Sequence, residues 1–414
     1  MPTNTFLPPK VFANAGLKLL KNNLVLAKLV DSESVDKTFK PGGGGTVYVK
    51  RPPEFTIRTG ATASAQDVTE GEVAVSIDKQ AGVDVQFTSQ EETLNVDALL
   101  KSKVLDASMA QIATYIDMQV GSRLAEFHNW VGTPANAIST IAGFLAGPQR
   151  LDEMGVPAAG RNAVLNPADG YALAATISAN AAQAGTVAGN ALQRAKVPMI
   201  GSVDTYITQT IPSLTTGTRT NAAVDGASQN VTYVNVKSTY TQTLNIDGVG
   251  NATTVVAGEV FTIAGVYAVN PRTKAVLPYL QQFTVITGGT SVASGTATAQ
   301  DLALTISPPI ITSGAYQTVS AVPADDAVVT WVGSGSTTYR PNAIFQKSAI
   351  KLVSAKLIMP YSGEADYATD PDTGLTVRYW RYSDGASDTH NHRWDVFFGT
   401  VNADRRLGVR VSGA

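Results

Sequence analysis

The sequence predicts an α+β chain with an all-β block set inside it, and three observations carry that reading. Residues 90–120 contain neither Gly nor Pro, in a chain that holds 36 Gly and 20 Pro. Residues 221–335 are rich in Thr, Val and Gly, alternate apolar with polar positions, and carry closely spaced turn signals, the signature of a small barrel or sandwich. After the Gly/Ser-rich stretch 332–336 the mixed apolar patterning resumes from Pro341, so the block interrupts a larger fold.

Taken in order, residues 1–9 read as an extended tail and 11–30 as an amphipathic helix, with Leu17, Leu20, Leu24 and Leu29 apolar and Lys18, Lys21 and Lys28 polar. That helix has little local core, so it packs either on a neighbouring chain as an arm or on its own domain. Residues 38–89 follow a long hairpin pattern. Segments 46–50 and 73–77 alternate as strands, 83–87 adds a third, and the small, polar stretch 58–70 reads as a loop tip. Gly42 to Gly45 lack the Lys-Ser/Thr and helix that a phosphate cradle needs, and read as a hinge.

Between 89 and 130, Leu105, Met109, Ile112, Ile116, Val120, Leu124 and Phe127 recur at steps of three and four, which places them on one helical face. Ser89-Gln90-Glu91-Glu92 reads as a capping box, with Asn95 as an alternative N-cap, and the segment from Trp130 to Pro134 stops the helix. Such a helix is roughly 50 Å long at 1.5 Å per residue, either a strut for other elements or an ordinary long core helix. Residues 138–154 have helical character, 163–165 form a short strand, and Asn166-Pro167 opens a helix to about 182. Within the β-rich block the paired apolar positions are Val231 and Tyr233, Val234 and Val236, Phe261 and Ile263, Phe283 and Val285, then Leu302, Leu304 and Ile306. Strands follow at 375–382, 394–401 and 407–411.

Composition narrows the functional classes. A chain of 414 residues holds two or three folded units. Charged residues are 15% and apolar ones 44%, a surface short of charge that fits either cover by other subunits or a bland secreted β-protein. A net charge of −2 leaves no basic footprint for tight nucleic-acid binding. Cysteine is absent, so disulfides, zinc-thiolate sites and a cysteine nucleophile are excluded. Residues 1–10 lack the pattern of a signal peptide, and no apolar run is long enough to span a membrane. The triplets at Asn230 and Asn251 match glycosylation sites without a secretory context.

Little of the sequence reads as catalytic. His390 and His392 share a strand face, with Asp384, Asp388 and Asp395 near, but they lack a fourth-ligand pattern. Asp370-Pro-Asp-Thr-Gly374 imitates the start of a calcium loop, yet puts Gly at a ligand position and Arg381 where the bidentate Glu belongs, and so reads as a hairpin turn. His128, late on the long helix, reads as a packed or surface histidine. No nucleophile elbow, carboxylate pair or dinucleotide fingerprint stands out, so neither enzyme activity nor a cofactor is expected.

Three stretches resemble a known family. Gly258-Glu-Val-Phe-Thr-Ile-Ala-Gly-Val-Tyr-Ala-Val-Asn-Pro271, continuing Thr273-Lys-Ala-Val-Leu-Pro-Tyr-Leu-Gln-Gln-Phe283, resembles the insertion domain of coat proteins from short-tailed phages of the Salmonella phage P22 type. Asn342-Ala-Ile-Phe-Gln-Lys-Ser-Ala-Ile350 resembles the segment where that family re-enters its main fold, and Leu165-Asn-Pro-Ala-Asp-Gly170 a strand-turn-helix of tailed-phage capsid proteins. The order of elements matches as well, so the resemblance covers nearly the whole chain.

The resemblance implies the Hong Kong 97-like capsid fold with an inserted β-barrel. Its parts would be an N-terminal arm (1–37), an E-loop hairpin (38–73), a peripheral domain with the spine helix (74–130 and 364–414), an axial domain (131–220 and 336–363) and the barrel (221–335). It implies a major capsid protein that self-assembles as hexamers and pentamers into the icosahedral head of a tailed phage. That head encloses double-stranded DNA without sequence-specific binding, and is assembled in the bacterial cytoplasm, away from membranes. The implied partners are further copies of the chain, a scaffolding protein, a portal and, as an open option, a decoration protein. An encapsulin-like compartment shell and a phage tail or surface β-protein are the alternatives. The N-terminal arm departs from the family pattern, because Lys10, Lys18, Lys21 and Lys28 precede Asp31, Glu33 and Asp36, and a scaffold contact is not carried over to particular residues. No Lys–Asn cross-link is expected at Lys50, since no motif singles out an Asn or an acid.

A long two-stranded ribbon is marginal in water, so this hairpin is expected to lie on an adjacent subunit. Lys50, Arg51, Glu54 and Arg58 along its arm are the contact candidates, to be met by Glu70 and Glu72 at its base or by Asp97 and Asp106 on a neighbouring spine helix.

Overall fold

The computed structural model describes residues 9–34, 45–63, 65–88, 90, 103–180, 200–250, 252–291 and 301–413. It divides into two compact units, the first within 1–48, 74–120 and 350–401, the second within 49–73, 121–349 and 402–414.

In the first unit a six-stranded sheet is organised around the long strand Thr389–Asn402. Lys79–Thr88 and Thr376–Asp384 both pair antiparallel with it, Glu364–Thr369 extends the sheet from Thr376–Asp384, and Asp31–Ser34 runs parallel to Ile350–Ser354 at the other end. The spine helix Lys103–Ser122 buries Leu105, Met109, Ile112, Ile116 and Val120, the face its periodicity predicts. Across its described 20 residues it is about 30 Å long. It does not continue to Phe127: Arg123–Glu126 tightens into a 3-10 turn, Phe127 is extended, and Trp130 lies in the strand Asn129–Val131. The expected caps Ser89, Glu91, Glu92 and Asn95 lie outside the described residues.

The N-terminal helix is Pro9–Asn23, and it packs on its own unit. Phe12 stacks on Tyr379 with ring centroids 5.2 Å apart. Gly16 lies so close to Trp394 and Met109 that a Cβ there would come within 3.2 to 3.3 Å of them. Lys21 bridges to Asp370 at 2.9 Å. The helix stops seven residues short of the expected Val30 because Asp117 on the spine helix accepts the backbone N–H groups of Val25 (2.8 Å) and Ala27 (2.9 Å). Those bonds draw the chain into the 3-10 turn Leu26–Lys28.

The second unit contains a five-stranded sheet in the order Asn129–Val131, Gly408–Val411, Asn342–Gln346, Arg161–Leu165, Asp204–Ile207. Helices Ile141–Glu153 and Pro167–Asn180 cover it through Phe144, Leu151, Leu173 and Ile177. Thr140 caps the first of them by accepting the Gly143 N–H at 3.1 Å.

Six strands of the β-rich block close into a barrel: Gln242–Asp247, Leu302–Ser307, Val276–Thr287, Val260–Val269, Val328–Trp331 and Ala222–Val224. Phe261, Ile263, Phe283, Val285, Leu302, Leu304 and Ile306 fill it, as their alternation predicts. The Val231 to Val236 stretch differs from its expected strand: Tyr233–Val236 is a single helical turn, Val234 is exposed, and Tyr233 and Val236 join Tyr240 and Ile311 in a separate apolar cluster. Alternation over so few residues fits a turn of helix as well as a strand. The chain enters and leaves the block through one antiparallel neck, where Leu214–Thr215 pairs with Thr338–Tyr339.

Candidate assembly site

Two groups of residues stand out in the second unit, one where the barrel meets the five-stranded sheet and one at the base of the hairpin.

The first is built on Arg410, fully buried in the strand Gly408–Val411. Its guanidinium donates to the carbonyls of Phe127 (2.8 Å) and Gly258 (2.6 Å) and to Thr284 Oγ1 (3.0 Å), and lies 5.0 Å from the Trp130 ring. Burial lowers its pKa to about 9, with Glu126 opposing the shift, so the group stays charged at neutral pH. The Gln282 side chain binds the Trp130 backbone twice, accepting its N–H at 2.7 Å and donating to its carbonyl at 2.9 Å. Asn270 donates to the Glu153 carbonyl at 2.7 Å, and Arg150 lies 3.6 Å from the Tyr279 ring. Gly258, Asn270, Tyr279 and Gln282 all belong to the stretch that singled out the barrel in the sequence. The motif is thus the seam that fastens the barrel to the sheet.

The other two motifs meet each other. Asn166 caps the helix Pro167–Asn180 by accepting the Asp169 N–H at 3.0 Å, and its own N–H donates to Asn342 Oδ1 at 2.7 Å. The buried Asp169 carboxylate accepts from the side chains of Asn166 and Asn342 and from the Ile138 N–H. A carboxylate so placed has its lone pairs satisfied by neutral donors, which a buried charge requires.

At the hairpin, Thr46–Arg51 pairs with Gly71–Ser76. Lys50 and Glu70 form an exposed ion pair at 2.7 Å within the chain. Arg51 and Glu54, expected along an outward arm, turn inward instead. Arg51 is 7% exposed; it donates to the Ala403 carbonyl at 2.9 Å and lies 4.8 Å from the Tyr240 ring. Glu54 pairs with Arg406 and, at 3.6 Å, with Lys274. A ring face and a carbonyl suit a guanidinium better than a lone surface position does. Arg58 is exposed and donates to the Gly60 and Thr62 carbonyls of the loop tip. Glu72 is exposed on its strand and Asp106 in the first turn of the described spine helix, while Asp97 lies outside the described residues.

Behind Arg51, Asp404 accepts from Arg406 at 2.8 Å. Burial opposes ionisation of Asp404, but Arg406, with Arg51 beyond it, holds its pKa at about 2. Glu126 takes Arg405 at 2.9 Å and Arg123 at 2.7 Å, and these guanidiniums outweigh burial to keep its pKa below the usual carboxylate value.

The candidate chemical centres resolve into structural contacts. His392 Nδ1 is 2.6 Å from the Tyr379 hydroxyl and His390 Nδ1 is 2.7 Å from Ser383 Oγ. Asp370 closes a hairpin turn, accepting from the Thr373 N–H and hydroxyl. His128 is buried, and burial lowers its pKa to about 3, leaving it neutral. Among the described residues no group of three or more His, Cys, Asp or Glu is placed to hold a metal ion. No helix among them is long and apolar enough to cross a membrane.

The model of the family described as P22 coat protein, gene protein 5, matches residues 10–413. The chain belongs to the P22 coat protein family. It is a major capsid protein of a tailed phage, with the Hong Kong 97-like α+β fold and inserted barrel expected of it. No curated protein matches this coat protein significantly. Among solved structures, one from Mycobacterium phage Che8 is similar at 12% identity over 94% of this chain and 90% of that one, with a TM-score of 0.45. The capsid structure of cyanophage P-SCSP1u is similar at 9% identity over 94% and 88%, with a TM-score of 0.47. The CUS-3 coat protein I-domain matches 27% of the coat protein and 93% of its own length at 26% identity, with a TM-score of 0.19.

Sequence reasoning missed Arg410, Gln282 and the Asp404–Arg406 pair. A lone Arg inside the apolar run 407–411 was the available signal for the first.

Proposed function

We propose that this coat protein builds the shell through its hairpin, as hexamers and pentamers closing into an icosahedral head around double-stranded DNA. The first unit, with the spine helix and the six-stranded sheet, would serve as the peripheral domain, the five-stranded sheet with its two helices as the axial domain and residues 221–335 as an accessory domain on the outer surface. The bounds expected from the sequence shift because Ile350–Ser354 joins the first sheet and Gly408–Val411 the second. Of the expected arm 1–37, the helix Pro9–Asn23 packs on its own unit. Assembly takes place in the host cytoplasm with a scaffolding protein and a portal. The low net charge of −2 suits a container that encloses DNA without gripping it.

The supporting observation is the outer part of the hairpin. Ile57 is 92% exposed, and Phe55 and Val68 are more than half exposed, on a segment stitched by Gln66, which accepts from Thr56 N and Oγ1. Covering one such apolar side chain contributes ~1.5–3 kcal/mol, a term repeated at every subunit contact. Lys50, Arg58, Glu70 and Glu72 supply the charged rim, with Asp106 of a neighbouring spine helix as a partner. Exposed pairs add only ~0–1 kcal/mol each, and their effect is largest at low salt.

Light scattering and electron microscopy of the purified protein across a salt series test this. Ile57→Asp should abolish closed shells, and Lys50→Glu with Arg58→Glu should slow assembly most at low salt. Wild-type kinetics and normal shells from both variants would remove the hairpin from the assembly contact.

A further inference from the structure

The barrel does more than sit on the sheet: it grips the hairpin. The Tyr316 hydroxyl accepts the Glu54 N–H at 3.1 Å on one arm and donates to the Thr69 carbonyl at 2.7 Å on the other. One phenol oxygen therefore ties both arms together beyond the last paired strand residues. The ring is held in turn, stacked on Tyr233 with centroids 3.4 Å apart and planes 3° from parallel. The loop carrying it is fixed by Thr318 and Val319, whose N–H groups donate to the Ile311 carbonyl. Lys274, in the turn between two barrel strands, donates to the Ala315 carbonyl next to Tyr316 and faces Glu54. The hairpin fits closely against this surface: a Cβ on Gly71 would lie 2.4 Å from the Tyr233 hydroxyl and 2.8 Å from the Lys237 carbonyl.

We infer that the inserted barrel sets the direction in which the hairpin projects, with Tyr316 as the positioning residue that clamps its two arms. An isolated ribbon of this length samples many directions, and a contact made by its tip loses the entropy of choosing one. A clamp at the base removes that cost before the neighbouring subunit arrives. The value of the clamp for assembly rests on the hairpin reading above; the clamp itself does not.

The test uses the full-length, unassembled subunit with Tyr316→Phe, which keeps the stack and removes both hydrogen bonds. Tyr267→Phe, on the barrel surface, is the control. Hydrogen exchange at the Glu54 amide should accelerate about tenfold in Tyr316→Phe and not in the control, while Thr318 and Val319 keep their protection. If the barrel amides also lose protection, Gly71→Ala displaces the hairpin through its clash with the Tyr233 hydroxyl and the Lys237 carbonyl while leaving the Tyr316 hydroxyl in the chain, and should accelerate Glu54 in the same way. Unchanged exchange at Glu54 in both variants overturns the clamp. Slower assembly together with faster Glu54 exchange supports the whole inference. Faster exchange with wild-type assembly supports the clamp and overturns the role of the hairpin in assembly.

Discussion

Replacing Arg410 by Met should destabilise the second unit by about 3 kcal/mol. Three buried acceptors lose their donor: the Phe127 and Gly258 carbonyls and Thr284 Oγ1. Bonds to a charged group contribute roughly 1.5–3 kcal/mol each, so their loss alone amounts to about 5–9 kcal/mol. Against this, the variant no longer has to strip water from a guanidinium, which offsets several kcal/mol. Methionine fills much of the same volume, so a cavity adds little. A subunit of two compact units need not unfold in one step, so hydrogen exchange resolved by segment is the suitable assay. Protection should fall first in Gly408–Val411 and in the barrel strands Val260–Val269 and Val276–Thr287, which the guanidinium joins. Arg410→Lys should be intermediate, because one ammonium cannot span acceptors set out for a fork. If Arg410→Met exchanges like wild type in all three strands, the bonds merely balance the burial of the charge, and the seam is held by its other contacts.

The pKa of Asp404, about 2 when folded against 3.8 unfolded, gives stability present above about pH 4 and lost as pH falls through 2. Asp404→Asn should flatten that acid limb in urea titrations of the unassembled subunit and cost about 2 kcal/mol at neutral pH. Gly147→Ala places a Cβ 2.7 Å from Ile344 Cδ1 and 2.8 Å from Val411 Cγ2. The overpacking should outweigh the gain in helix propensity by about 1 kcal/mol, read from the urea midpoint. Deleting residues 1–23 uncovers Tyr379 and the Trp394 edge beside Gly16, so the truncated chain should show red-shifted tryptophan emission and aggregate. A soluble truncation with native emission would show that the helix is a detachable arm.

What could be read in advance follows from the range of each interaction. The buried face of the spine helix and the filling of the barrel are repeats along the chain, and the sequence displays them directly. The end of the N-terminal helix was not legible, because it depends on Asp117, some ninety positions away, capturing the Val25 and Ala27 amides. The same limit applied at the site. Lys50 and Glu70 face each other across one hairpin, and pairing the two arms finds them. Arg51 and Glu54 are charged residues in a polar-looking loop, and nothing local reveals that Tyr240, Lys274 and Arg406 wait for them. Arg410 needs carbonyls from residues 127 and 258, a coincidence that only the folded chain assembles.

The neck gives the molecule a socket. Leu214 faces Tyr339 and Thr215 faces Thr338 in an antiparallel pair, with the two threonine hydroxyls 2.9 Å apart. The two ends of the block are therefore about 5 Å apart, the spacing of any hydrogen-bonded strand pair. Any graft whose termini emerge as neighbouring antiparallel strands meets the geometric demand of this joint, whatever its interior. Residues 216–337 can be viewed as a cassette, and the neck as the plug that keeps the joining strands in register. A domain exchanged there keeps the same two strand ends, and must replace the seam contacts of Gly258, Thr284, Gln282, Asn270 and Tyr279 and the hairpin contacts of Tyr240, Lys274 and Tyr316.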